Sequence, residues 1–245
     1  MIIEAFHDLI RERTAVELSL AAIAVLALPA MSLLFGLRSA KSKSRDRLVG
    51  RYLQTMTRGW LIAGATLLAW QVSGRQFAEI GLAWPPGPGG AIGHVFAALG
   101  FVALLYSATV GFRPGQDELA RWRRALDALR IAPRSIGELL VFIPVAVTAG
   151  VWEELFYRGF LMWFFEPIGG VVGAALISSL VFGAGHAYQG LQGVVRTTLV
   201  GFFFAVAYAA TGSLWWLMIL HAAVDVFAGV LAFRVYAAVG RSKEK

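Results

Sequence analysis

The chain has 245 residues, of which 58% are hydrophobic and only 15% are charged. Soluble domains carry about 25% charged residues, so this composition excludes a soluble globular domain and indicates a polytopic helical membrane protein. The net charge of +7 is no sign of nucleic-acid binding, because the basic residues cluster between apolar runs, where the positive-inside rule puts them. The absence of cysteine excludes disulfides, Cys-based zinc sites and a thiol nucleophile.

The first part of the chain alternates between apolar runs and charged segments. Residues 1–13 do not resemble a cleaved signal peptide, and they predict a short interfacial helix. The first apolar run, residues 14–37, is long enough to span a bilayer and contains Pro29, which predicts a kink. The basic residues of 38–47, together with Arg51 and Arg58, predict a cytoplasmic loop.

Two further spans and one surface helix follow. The second and third spans are predicted at residues 59–73 and 91–111, and the turn-rich segment 74–90 between them fits the outer face. Residues 113–134 carry several arginines and apolar residues at helical spacing, which predicts an amphipathic helix on the cytoplasmic surface. Those apolar residues are Leu119, Trp122, Leu126 and Leu129.

The C-terminal half of the chain is predicted to form four more spans, at residues 136–167, 170–187, 194–210 and 214–235. The fold class is therefore all-α, a polytopic membrane protein with seven transmembrane helices in one bundle. An eight-helix version is the alternative, because the segment 136–167 is long and contains Pro144. Seven spans put the N-terminus outside and the basic C-terminal tail in the cytoplasm.

Two adjacent carboxylates and an arginine, Glu153, Glu154 and Arg158, interrupt the fourth predicted span. Ionisable groups at bilayer depth are costly, so they mark function by default. Residues four apart on a helix are neighbours, which pairs Glu154 with Arg158. Glu153 points about 100° away and is free to act as a base. The alternative is a buried ion pair that only fixes helix packing.

Three more polar residues fall in later spans. His186 lies near the end of the fifth span, whereas His221 and Asp225, four residues apart, share one face of the seventh. Counting about 1.5 Å per residue places these residues and Glu153 in the middle part of the membrane, scattered by about 15 Å. Helix tilt or a kink at Pro144 would have to bring these residues to a common depth in the membrane.

Other hydrolytic motifs are missing from the sequence. It contains no His-Glu-x-x-His zinc motif, no Gly-x-Ser-x-Gly elbow and no Gly-x-Gly-Asp aspartyl motif. Ser178 and Ser179 lie in the middle of a span, but no motif marks either as a nucleophile, and helix packing is the simpler interpretation.

The polar residues form three motifs in order: Glu153-Glu154-Leu-Phe-Tyr-Arg158, Phe182-Gly-Ala-Gly-His186 and His221-Ala-Ala-Val-Asp225. On successive membrane helices, this pattern resembles the CAAX protease and bacteriocin-processing family (CPBP, or Abi), which includes the type II CAAX prenyl endopeptidases. The resemblance covers residues 138–235. It divides the chain into N-terminal membrane helices with cytoplasmic basic loops (1–135), a CPBP-like catalytic membrane core (136–236) and a cytoplasmic basic tail (237–245).

The resemblance implies a glutamate-type intramembrane endopeptidase without a cofactor or metal. Glu153 would be the general base and His186 would help to position and polarise the water. Glu154 and Arg158 would brace the site, and His221 and Asp225 would line the oxyanion side. Asn occupies the last position in many relatives. Because an ionised Asp only accepts hydrogen bonds, Asp225 must be protonated, orient His221 or act in another way.

The implied substrate is a membrane-anchored or lipidated protein or peptide, cleaved near its C-terminus in the lipid bilayer of a bacterial inner (plasma) membrane. Three alternatives stay open. Glu153, His186 and His221 could hold zinc. The protein could be a non-catalytic immunity or scaffold protein of the same fold. Buried acids and histidines could also form a transporter relay, although the sequence shows no inverted repeat.

Overall fold

The computed structural model describes residues 10–11, 13–41 and 48–241, and within them the chain forms helices and no strand. The predictions for residues 1–9, for residues 42–47 of the basic loop and for residues 242–245 of the tail lie outside the described residues. We number the α-helices in chain order as α1 (Ala15–Ala22), α2 (Leu28–Lys41), α3 (Leu48–Val72), α4 (Pro88–Thr109), α5 (Gln116–Leu129), α6 (Ile136–Glu153), α7 (Met162–Ala184), α8 (Gly190–Thr211) and α9 (Trp215–Arg241).

Five helical segments of the described chain are long and apolar enough to cross a membrane. They are Ala15–Arg38, Pro88–Thr109, Ile136–Ala184, Ala187–Thr211 and Trp215–Ala238. The predicted all-α membrane protein is thereby confirmed, whereas the count of seven or eight spans stays a prediction.

The longest of these segments, Ile136–Ala184, folds back on itself. Helical geometry breaks at Gly169 and at Gly170, whose φ of 62° lies in the left-handed region that favours glycine. The hydroxyl of Ser178 donates to the carbonyl oxygen of Tyr157 at 2.7 Å. In a straight helix these residues would be about 30 Å apart. The segment is therefore a helical hairpin, and it reverses between the predicted fourth and fifth spans.

Arg51 and Arg58 lie on α3, so the prediction that they belong to a cytoplasmic loop is wrong. Residues 48–59 contain no proline, and the leucines, arginines, glutamine and methionine among them favour helix. The hydroxyl of Tyr52 donates to the carbonyl oxygen of Ile131, which fastens the first turns of α3 beside the start of α6. Positive charge biases the side of the membrane on which a segment lies, but it does not end a helix.

The predicted surface helix is observed as α5. The backbone N–H of Gly115 donates to the Glu118 carboxylate at 3.1 Å at its start, and Arg130, with a φ of 55°, ends it. Leu119 is buried while Trp122 is exposed, as expected for an amphipathic helix. The hydroxyl of Tyr236 donates to Asp127 at 2.9 Å, which joins α5 to α9.

Part of the connection between α3 and α4 packs against the helical bundle. Its short turn of wider π-type helix, Ala78–Leu82, carries Ile80, which is fully buried. Gly81 has a φ of 84°, and its carbonyl oxygen accepts the backbone N–H of Leu214 at 2.9 Å. A side chain at Gly159 would meet the Ile80 side chain at 2.7 Å. The turn therefore closes one end of the helices that carry the polar motifs.

The N-terminal helix is fastened to the same end of the bundle. Glu17 on α1 is buried and pairs with Arg75, and the hydroxyl of Ser73 donates to it at 3.0 Å. The apolar residues of the first helices share one core cluster with the aromatic residues that follow Glu153. Members of this cluster include Leu20, Ala24, Leu28, Phe156 and Phe160.

Candidate active site

The polar stretch lies where α6 passes into a wider π-type helix, Glu154–Leu161. Such segments are rare and recur at functional sites. Here the carbonyl oxygen of Tyr157 accepts the backbone N–H of Met162, and it also accepts the hydroxyl of Ser178 at 2.7 Å. All eight residues of the segment are buried. The irregular turn is thus held in place by both arms of the helical hairpin.

Glu154 and Arg158 form a buried ion pair within this segment. The Arg158 Nη1 donates to the Glu154 Oε1 at 2.9 Å, and the two side chains are 1% and 0% exposed. The Arg158 Nη2 donates to the carbonyl oxygen of Gly201 on α8 at 3.2 Å. Its guanidinium also lies 4.4 Å from the ring centre of Phe182. The pair thereby joins the π-type segment to α7 and α8.

Glu154 also holds His221, which comes from α9. The Glu154 Oε1 lies 2.6 Å from the Nδ1 of His221, within hydrogen-bond distance. Close helix packing makes this contact reachable: a side-chain carbon at Gly150 of α6 would lie 2.7 Å from the carbonyl oxygen of Met218. Only glycine allows α6 and α9 to approach so closely.

Glu153 and Asp225 both face the other nitrogen of His221. The Nε2 atom lies 3.7 Å from the Glu153 Oε2 and 3.8 Å from the Asp225 Oδ2. Both distances exceed those of direct hydrogen bonds, so neither carboxylate is bonded directly to the Nε2 atom. The side chains of Glu153 and Asp225 are 12% and 37% exposed, unlike the fully buried Glu154. Asp225 is therefore the most exposed acid of the cluster.

His186 lies just after α7, beside this cluster rather than in it. Its Nδ1 is 2.9 Å from the carbonyl oxygen of Phe182. Among the described residues it makes no ion pair with an acid. The aromatic ring of Phe182 contacts both histidines: the ring centres of His186 and His221 lie 4.6 Å and 6.2 Å from its own.

The structure thus gathers Glu153, Glu154 and Asp225 around His221, with Arg158 paired to Glu154 and His186 in contact with Phe182. Sequence reasoning missed the carbonyl of Gly201, since a backbone acceptor carries no residue-type signal. Ser178 and Ser179 are both buried and donate to backbone carbonyl oxygens, at 2.7 Å and 2.6 Å.

The cluster has no ready-made metal site. Across the described ranges, no group of three or more His, Asp or Glu residues is arranged to hold a metal ion. The zinc alternative named Glu153, His186 and His221, of which Glu153 and His221 lie 3.7 Å apart.

The apolar helices and the buried acid–histidine–arginine cluster define an integral membrane protein with a candidate hydrolytic site. Residues 135–227 match the family model of the Rce1-like type II CAAX prenyl endopeptidases, a CPBP family of membrane proteases. The match contains all three polar motifs and confirms the resemblance that they predict. The family acts on membrane-anchored protein substrates. No curated protein and no solved structure matches the chain.

Proposed function

We propose that the protein is an intramembrane endopeptidase that hydrolyses a peptide bond near the C-terminus of a membrane-anchored or lipidated protein or peptide. One observation carries the proposal: within the family-matched region, the Glu153 carboxylate lies 3.7 Å from the Nε2 of His221 without a direct hydrogen bond to it. Glu153 hydrogen-bonds to no side chain or backbone group among the described residues, whereas Glu154 is committed to Arg158 and His221. Glu153 is therefore available to a water molecule.

The reaction follows from these positions. Glu153 takes a proton from water, and the hydroxide attacks the carbonyl carbon of the scissile bond. The C–N bond then breaks, and the proton passes to the leaving amine. His186 helps to position and polarise the water. Glu154 and Arg158 hold the π-type segment and α9 in fixed positions relative to each other.

His221 and Asp225 line the side on which the oxyanion develops, where hydrogen-bond donors lower the barrier. Asp225 donates there only in its protonated form. Its distance of 3.8 Å from the Nε2 of His221 leaves a second role, in which it orients that ring through a bridging water. Neither role needs a cofactor or a metal.

The placement in the bilayer belongs to the same proposal. Two additions to the five apolar segments give seven spans: the second arm of the helical hairpin, and α3. Seven spans put the N-terminus outside and the C-terminus in the cytoplasm of a bacterial plasma membrane. The core of the protease is then residues 136–236.

The test is a cleavage assay on the full-length protein in proteoliposomes, with lipidated and membrane-anchored peptides as substrates and mass spectrometry as the readout. We expect Glu153→Gln and His186→Ala to lower the rate by about 100-fold or more, the contribution of a positioned acid–base group. Arg121→Gln, on the exposed side of α5, is the control and should cleave normally. Unchanged processing in both site variants would refute the protease and favour a non-catalytic immunity or scaffold role.

A further inference from the structure

Arg58 on α3 lies beside the candidate active site. Its neighbour Gly59 faces α6, where a side-chain carbon would lie 2.6 Å from the Cδ1 of Trp152 and 3.0 Å from the Cγ2 of Thr148. The two helices therefore touch in the turn that leads to Glu153. Arg58 directly precedes Gly59, so its side chain leaves α3 in the turn that packs against Trp152, next to Glu153 in the sequence.

Arg58 is exposed and uncommitted. Among the residues that the structure describes, its guanidinium has no hydrogen-bond or ion-pair partner. Arg158, by contrast, is buried and already donates to Glu154 and to the carbonyl oxygen of Gly201. An arginine at the level of a membrane-buried acid is costly unless it serves a purpose. Its five donors are available to a ligand.

The charge of the site indicates what that ligand is. Three carboxylates, those of Glu153, Glu154 and Asp225, surround His221, and Arg158 is the guanidinium that pairs with one of them. A peptide cleaved three or four residues before its end brings its own terminal carboxylate within about 10–14 Å of the scissile bond. The acids repel that carboxylate, most strongly where little water screens them. A free cation near the three carboxylates offsets this repulsion.

We infer that Arg58 binds the C-terminal carboxylate of the substrate and thereby sets the distance between the chain end and the cleaved bond. A guanidinium suits this task because its planar fork binds a carboxylate through two parallel hydrogen bonds. The inference rests on the proposed function, and it adds a specificity: a free C-terminal acid is required, and an amide is not accepted.

Binding and cleavage are measured separately to test this. The binding probe is a fluorescent peptide with a prenylated cysteine three residues before its end, made as the free acid and as the amide. It is titrated by fluorescence anisotropy into Glu153→Gln protein, which leaves it intact, in phosphatidylcholine nanodiscs with and without phosphatidylglycerol. We expect the acid to bind about 10-fold to 100-fold more tightly than the amide, as charge-assisted hydrogen bonds allow.

Adding Arg58→Gln should weaken binding of the acid to the level of the amide and leave the amide unchanged. Adding Arg121→Gln, which removes the same charge from α5, should preserve the preference. A preference that survives Arg58→Gln overturns the inference, as does an equal loss for both peptides. An effect limited to nanodiscs with phosphatidylglycerol also overturns it, because Arg58 then serves lipid phosphates.

The two proposals fail in different ways. Absence of cleavage by the wild-type protein refutes the endopeptidase, but it does not alter the Arg58-dependent preference for the acid. Normal cleavage of acid and amide alike refutes the anion site and leaves the endopeptidase intact.

Discussion

The Oε1 atom of Glu154 lies 2.6 Å from the Nδ1 of His221, a residue 67 positions further along the chain. A carboxylate that accepts the Nδ1–H of a histidine fixes the orientation of the ring. The Nε2 atom consequently faces Glu153 and Asp225. In the proposed reaction, Glu154 therefore acts by holding His221, while Glu153 is the acid left without a direct hydrogen bond.

These different roles predict that mutating Glu154 lowers stability, whereas mutating Glu153 abolishes cleavage at nearly unchanged stability. Glu154→Gln leaves the buried Arg158 without its charge partner, which costs about 3–5 kcal/mol of the free energy of unfolding. Glu153→Gln breaks no hydrogen bond to a described residue, so we expect its stability to stay within about 1 kcal/mol of the wild type while cleavage is lost. Denaturant unfolding in detergent and the cleavage assay measure the two quantities on the same preparations.

A paired replacement is the control for this prediction. Glu154→Met with Arg158→Met removes both charges from an apolar surrounding, so it should recover much of the stability lost in Glu154→Gln but not the activity. Equal destabilisation by Glu153→Gln and Glu154→Gln would contradict the separation of roles.

Gly150 controls the distance between α6 and α9. A methyl group there would lie 2.7 Å from the carbonyl oxygen of Met218 and 2.8 Å from the backbone nitrogen of Ala222. Gly150→Ala must push the helices apart, which costs about 1–3 kcal/mol and lowers the cleavage rate by loosening the Glu154–His221 contact. Gly64→Ala is the matched control: nothing lies within 4 Å of it, and we expect a gain of about 0.4–1 kcal/mol. If both variants unfold at the same denaturant concentration, the proposed close approach is wrong.

Ser178 is predicted to be structural. Its hydroxyl donates to the carbonyl oxygen of Tyr157 inside the buried π-type segment. Ser178→Ala should therefore lose about 1 kcal/mol of stability and keep most of its cleavage rate. Loss of cleavage with normal unfolding would instead identify Ser178 as a nucleophile. Ser179→Ala, whose hydroxyl donates to Ala175 within its own helix, is the comparison.

Chelation separates the glutamate mechanism from the zinc alternative. Because the proposed base is a carboxylate that acts on water directly, preincubation with 1,10-phenanthroline should leave the cleavage rate unchanged. Metal analysis of the active preparation should show zinc well below one equivalent. Inhibition by the chelator that added zinc reverses would support a metal-dependent membrane protease.

Local relationships in this site could be predicted from the sequence, whereas contacts between distant helices could not. The pairing of Glu154 with Arg158 follows from their spacing of four, which brings side chains together even where the helix widens to π-type turns. The contact of Glu154 with His221 depends on how α6 and α9 are rotated and how closely they approach. Counting residues from the predicted ends of the spans places these groups at depths that differ by about 15 Å. Such a count includes neither the rotation of the helices nor the distance between them.

Arg58 shows a second limit of pattern reading. The basic residues around Arg58 predict the side of the membrane on which the segment lies. They do not indicate that α3 already begins at Leu48. Only the packing of Gly59 on Trp152 reveals that Arg58 lies beside Glu153. A positive charge that is conspicuous as a topology signal can therefore also be a ligand-binding group.

The burial of Ile80 against Gly159 closes one end of the bundle. The turn that carries Ile80 seals the bundle at the first residues of α9, through the bond between Gly81 and Leu214. Asp225 lies about 15 Å further along that helix and is the most exposed acid of the cluster. In the proposed reaction, water would therefore enter, and the hydrophilic fragment would leave, on the side of Asp225. Each turnover would then have to release its product before the next water molecule could bind.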